Sequence, residues 1–105
     1  MKTQLVVQLP ISESTDFDDL IEIEDGLSDV LKSHRGVVVD GHDIGHGRFN
    51  VFVISDVPCE QFVGGIRAYL EFRELLDNAV IAARPINGGR YNVVWPLDHD
   101  AAFEV

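Results

Sequence analysis

The chain has 105 residues, 46% of them apolar, with 18 acids against 8 bases and a net charge of −10. That length holds one domain with a single core and no need of disulfides or a structural metal, and the lone Cys59 excludes an internal disulfide and fits a reducing cytoplasm. The acidic balance argues against direct binding to nucleic acid, which leans on basic groups that neutralise phosphate, and against an anionic membrane surface. The apolar run after Lys2 is broken by Gln8 and Pro10, too short for a signal peptide or a membrane span.

Thr3 to Leu9 alternates, Thr3, Leu5, Val7 and Leu9 on one side and Gln4, Val6 and Gln8 on the other, which predicts a strand that Pro10 ends. Ser14 or Thr15 then offers an N-cap, acids crowd the following turns, and Lys32, His34 and Arg35 precede Gly36. These signals predict a helix from about Thr15 to His34. At about 100° per residue its apolar face takes Phe17, Leu20, Ile21, Ile23, Leu27, Val30 and Leu31, with Gly26 outside the stripe.

Val37 to Asp40 and Arg48 to Ser55 read as two strands, with the glycine-rich segment between them as the loop of a hairpin. A second helix opens at Asp56 and Pro58. Its apolar face holds Cys59, Phe62, Val63, Ile66, Tyr69 and Leu70, with Gly64 and Gly65 off that face. Ala79 to Ile86 and Arg90 to Trp95 flank Asn87-Gly88-Gly89, a hairpin signal; Pro85 places its strand at an edge or in a local irregularity, and Pro96 ends the last strand.

The order β-α-β-β-α-β-β is that of an α+β, ferredoxin-like split βαβ sandwich in one domain over 1–105, with a fifth strand added and two helices on one face of an antiparallel sheet. The other face is not plainly polar. Phe49, Val51 and Val53 point one way and Phe52 and Ile54 the other, while Tyr91, Val93 and Trp95 oppose Val94. A surplus apolar face implies a homodimer, a ligand platform or a partner site, unless the C-terminal segment or scattered surface residues account for it.

Charge is concentrated in residues 13 to 29, which hold Glu13, Asp16, Asp18, Asp19, Glu22, Glu24, Asp25 and Asp29 and no Lys or Arg. Elsewhere ten acids meet eight bases, so this segment supplies most of the net charge. It reads either as a solvated helix face or as a surface for a basic protein, with Asp18, Asp19, Glu22, Asp25 and Asp29 as the partner-binding candidates. Glu24 differs from these because its projection falls within the apolar arc. A carboxylate there needs a partner, for which Arg73 or Arg84 are the candidates, unless it snorkels at the rim or faces a cleft as a general base.

The densest chemistry is at residues 40 to 48. Asp40, His42, Asp43 and His46 offer imidazole and carboxylate groups of the kind zinc, nickel or iron accept, and Arg48 with nearby glycine N–H groups suits an anion. The competing reading is a bulged turn whose polar side chains bond the loop backbone. No strand-to-helix context follows the glycines, so the dinucleotide and P-loop signatures fail. No catalytic residue, metal or cofactor is assigned: Cys59 lies on a core face, no Ser-His-Asp set is recognisable, and Tyr91 and Trp95 read as packing residues.

Asp40-Gly41-His42-Asp43-Ile44-Gly45 through Asn50-Val51-Phe52, with Ala83-Arg84-Pro85-Ile86 and Tyr91-Asn92-Val93-Val94-Trp95-Pro96, resembles a group of short bacterial proteins with this strand order. The resemblance implies the fold and carries no reaction or functional residue over. The expected function is that of a non-catalytic cytoplasmic binding or regulatory module, dimeric or docking a basic protein, in one version an immunity-type protein. The rival is a small-ligand or metal-dependent enzyme using His42, Asp43, His46 and Glu24.

Overall fold

The structure, a computed structural model, describes residues 2–12, 14–97 and 103. Glu13 and, apart from Phe103, the C-terminal segment weighed as a cover for the sheet lie outside that set. The elements are β1 (Thr3–Pro10), α1 (Phe17–Leu31), β2 (Val37–Gly45), β3 (Arg48–Ser55), α2 (Val63–Phe72), β4 (Val80–Pro85) and β5 (Asn92–Trp95). The strands form one antiparallel sheet in the order β2-β3-β1-β4-β5. This is an α+β arrangement of two helices and five strands.

Alternation in β1 and β3 sends Leu5, Val7, Leu9, Phe49, Val51 and Val53 to the helix side, where they are at most 2% exposed. They pack with Leu20, Ile23, Leu27 and Leu31 of α1 and Ile66 and Leu70 of α2. Each such side chain contributes about 1.5–3 kcal/mol by leaving water.

The first helix is shorter than its periodicity predicts at both ends. Asp16, not Ser14 or Thr15, is the N-cap: its carboxylate accepts from the Asp18 N–H at 2.9 Å. Thr15 instead accepts from the Ser12 N–H at 2.9 Å, closing the loop before the helix. Lys32 is the C-cap, so Lys32, His34 and Arg35 lie past the last turn, which carries no base. The buried stripe is Leu20, Ile23, Leu27 and Leu31 alone. Phe17, expected on it, is 53% exposed, and Val30 is only partly buried.

Gly26 is no bystander to packing. A Cβ there would collide with the hydroxyl end of Tyr69, so the missing side chain makes room for that ring of α2 against α1. Gly65 also faces the helix pair, where a Cβ would stand 3.2 Å from Val30 Cγ1. The second helix begins later than Asp56 and Pro58 suggest. Cys59–Gln61 forms a 3-10 turn, and Phe62, with φ −134°, breaks the run before α2 starts at Val63.

The glycine-rich segment is strand rather than loop. Pairing of β2 with β3 continues from Val37 opposite Ser55 to Gly45 opposite Arg48, and only His46 and Gly47 turn the chain. Both have positive φ, 53° and 73°, as a tight two-residue hairpin turn requires. The glycines misled because they weaken a strand's local signature, while cross-strand bonding to β3 overrides propensity. Register shifts between Val39 and Gly41, leaving Asp40 as the extra residue of a bulge.

At the other end, Asn87-Gly88-Gly89 does turn the chain, but β5 begins only at Asn92 and pairs no further along β4 than Ala83. Pro85 therefore lies past β5, paired on the β1 side alone. A second register shift lets Trp95 oppose Ile81 and Val93 oppose Ala82, so these two do not share a face as strict alternation implies.

The second face of the sheet is mixed. Val6 and Ala82 are fully buried, Phe52 and Ile54 partly so, and Val38, across from Ile54, is 59% exposed. Gln8 Nε2 donates to Asn50 Oδ1 at 2.9 Å, and Asn50 is 1% exposed. Gln4 Oε1 accepts from both Arg84 Nε at 3.0 Å and Tyr91 Oη at 2.8 Å. Phe103 makes an edge contact with Tyr91, centroids 5.1 Å apart.

Candidate functional site along α1 and the bulged strand

The bulge at Asp40 sets where the polar residues of β2 point. Beyond it Gly41 opposes Phe52 on the second face, and His42 opposes Val51 on the helix side. His42 therefore reaches α1, where its Nδ1–H donates to Glu24 Oε1 at 2.9 Å. A carboxylate oxygen accepts, so the imidazole is the donor in this pair. The side chains are 28% and 16% exposed, and Phe49 lies 5.4 Å and Phe17 6.2 Å from the imidazole, centroid to centroid.

Glu24 thus has the partner its position demands, and the partner is neither Arg73 nor Arg84. Arg73 turns to Glu22 at 3.5 Å and to the Tyr69 hydroxyl at 3.1 Å, and Arg84 serves Gln4. Pairing across the helix–sheet boundary was hidden in the sequence because it depends on the face His42 takes after one inserted residue.

The other candidates of this segment diverge. Asp43 opposes Asn50, the partner of Gln8, on the second face; His46 occupies the exposed turn; Asp40 is the exposed bulge residue; Arg48 pairs with Gly45 at the strand end. Among the described residues no group of three or more His, Cys, Asp or Glu is placed to hold a metal ion. An imidazole oriented by a carboxylate is the usual arrangement of a general base. Here it sits on the surface between α1 and β2, and it lines none of the grooves at Cys59, at Trp95, at Arg73 or at His34.

The acids of α1 sort by angle. Asp18, Glu22, Asp25 and Asp29 follow one another at four, three and four residues, so they form one exposed row opposite the buried stripe. Asp19 departs from the row and borders a groove with Leu20, Ile23 and Arg73. Two of the four acids touch bases, Glu22 with Arg73 at 3.5 Å and Asp29 with Lys32 at 3.6 Å. These acids are 67% and 76% exposed, so such pairs contribute little.

Phe17 and Ile44 are the residues that periodicity missed. Phe17 is 53% and Ile44 41% exposed. Ile44 follows His42 by two on the same strand face and opposes Phe49, so Phe17, His42 and Ile44 form one partly apolar patch beside the acid row. Finding it from sequence needed the bulge.

Cys59 is 9% exposed, and burial, followed by the adjacent Glu60 carboxylate, raises its thiol above the ordinary value. A protonated thiol is a poor nucleophile. Burial also raises the Tyr91 hydroxyl, opposed by Arg84. The aromatic faces near the C-terminal end are occupied from within: Arg67 lies 4.0 Å over Trp95 and Arg84 4.4 Å over Tyr91.

Fold and site together define a two-layer α+β arrangement whose first helix presents a carboxylate row and whose imidazole–carboxylate pair joins that helix to an edge strand. No family model, curated protein or solved structure matches the chain. No helix among the described residues is long and apolar enough to cross a membrane.

Proposed function

We propose that the protein is a non-catalytic binding or regulatory module that holds a basic protein partner, as an immunity-type protein does, against the outer row of α1. One observation carries the reading: Asp18, Glu22, Asp25 and Asp29 stand in line, all exposed, on the side of the helix turned away from the sheet. A helix needs acids only in its first turn, so Asp25 and Asp29 exceed what capping and the dipole call for. A row of like charge at this spacing raises on-rates for a partner of opposite sign. The strand order β2-β3-β1-β4 supports a ferredoxin-like split βαβ sandwich with β5 added at one edge.

The test is purification of the tagged full chain from its own cells. A stoichiometric basic protein retained at about 50 mM salt and released near about 0.5 M, and absent with Asp18→Asn, Glu22→Gln, Asp25→Asn and Asp29→Asn combined, is the expected result. Retention that is indifferent to both salt and these substitutions would overturn the reading. Self-association through the second sheet face is favoured separately by Val38, exposed across from Ile54. Native mass spectrometry of the wild type against Val38→Lys decides it, a dimer lost in the variant being the expected outcome.

A further inference from the structure

We infer that the patch of Phe17, His42 and Ile44 is the anchor point of that interface, and that it takes a partner segment carrying an aliphatic or aromatic side chain next to Lys or Arg. This rests on the function proposed above and specifies the partner's chemistry. Phe17, 53% exposed, makes an edge contact with an imidazole that Glu24 holds in place, and Ile44, 41% exposed, follows that histidine by two on the same strand face. Glu24 and Phe17 belong to one flank of α1, and the row of Asp18, Glu22 and Asp25 is the next flank, one residue round the helix.

An apolar side chain set on the patch would therefore bring its basic neighbours over the carboxylates. An exposed apolar centre with a charged border is the usual build of an interface anchor, where the apolar contact sets the dissociation rate and the charges set the approach. The occupant suited to this surface is amphipathic and basic. A purely polar basic chain would leave Phe17 and Ile44 in water, and a neutral apolar one would leave the acids without counter-charge. Nucleic acid and anionic lipid are opposed by the same carboxylates.

The test uses two synthetic peptides of about a dozen residues and equal positive charge, one with lysines separated by serine and one with lysines separated by leucine and a phenylalanine. Titrated into the full chain and followed by NMR, the apolar-basic peptide is expected to bind about tenfold more tightly and to shift the amides of Phe17, His42 and Ile44. Phe17→Ala with Ile44→Ser should bring the two peptides to equal affinity without weakening the polar one. Both side chains are part-exposed, 53% and 41%, and retention of the native amide spectrum is the folding control. Equal affinities in the wild type, or an advantage that survives the double substitution, would overturn the anchor while leaving the acidic row in place. Binding of neither peptide, or binding indifferent to the neutralised row, would overturn both proposals.

Discussion

The two helices pack side by side on one sheet, yet they are built in opposite ways. The longer, α1, is specified locally: Asp16 caps it, Asp18 and Asp19 fill its first turn, and its buried stripe is one residue wide. The second, α2, opens on Phe62 with no side-chain cap and no acid in its first turn, and contains two glycines. A helix without local support must be held by packing, and Phe62, Ile66 and Leu70 are at most 1% exposed. The difference separates the requirements of stability from the rest. α2 depends on the core to hold it, whereas α1 carries, beyond its capping turn, the exposed acids Glu22, Asp25 and Asp29.

The largest expected effect tests the dependence of α2 on packing. Ile66→Ala is expected to cost about 3 kcal/mol in urea denaturation, since the site is fully buried within the core cluster. A loss under about 1 kcal/mol would show that α2 holds itself.

Next is the seam between the helices. In an ordinary helix interior Gly→Ala gains about 1 kcal/mol, but Gly26→Ala is expected to lose about 2 kcal/mol because the methyl group must displace Tyr69. Combining it with Tyr69→Ala removes the clash, so the double variant should lose clearly less than the two single losses together. Additive losses would place the strain elsewhere.

A smaller effect distinguishes the helix entrances. Asp16→Ala is expected to cost about 1 kcal/mol, seen as faster amide exchange at Asp18. Thr15→Ala should leave that amide unchanged, because its hydroxyl belongs to the preceding loop.

These contrasts also explain what the sequence made legible. Alternation in β1 and β3 and the stripe of α1 are local patterns, and Leu5, Val7 and Leu9, Phe49, Val51 and Val53, and Leu20, Ile23, Leu27 and Leu31 do share the faces they were grouped on. Element order follows from them. What escaped is non-local: the entrance of α2, where Cys59 and Phe62 are buried by tertiary packing, and the full length of β2, where pairing with β3 overrides five residues that include glycine and aspartate. The candidate site suffered most. Glu24 was recognisable as misplaced on its helix, but naming His42 as its partner required knowing that Asp40 is bulged. Asp43 and His46 looked like companions of His42; Asp43 lies elsewhere because neighbouring residues of a strand point to opposite faces, and His46 because it occupies the turn.

The smallest expected effect on stability bears most directly on function. Asp18→Asn removes a charge that the helix N-terminus favours, and Asp29→Asn removes one that its C-terminus disfavours, each by a few tenths of a kcal/mol and with opposite sign. Glu22 and Asp29 give up exposed ion pairs of little worth, and all four substitutions relieve repulsion along a row spaced at four, three and four residues. The combined variant is therefore expected to match the wild type within about 0.5 kcal/mol, or to exceed it, in thermal melts at low salt. A clear loss would make the row part of the fold and remove the argument that it exists for a partner. A neutral result leaves the carboxylates without a structural purpose, which makes any loss of partner binding in the same variant a direct reading of the interface.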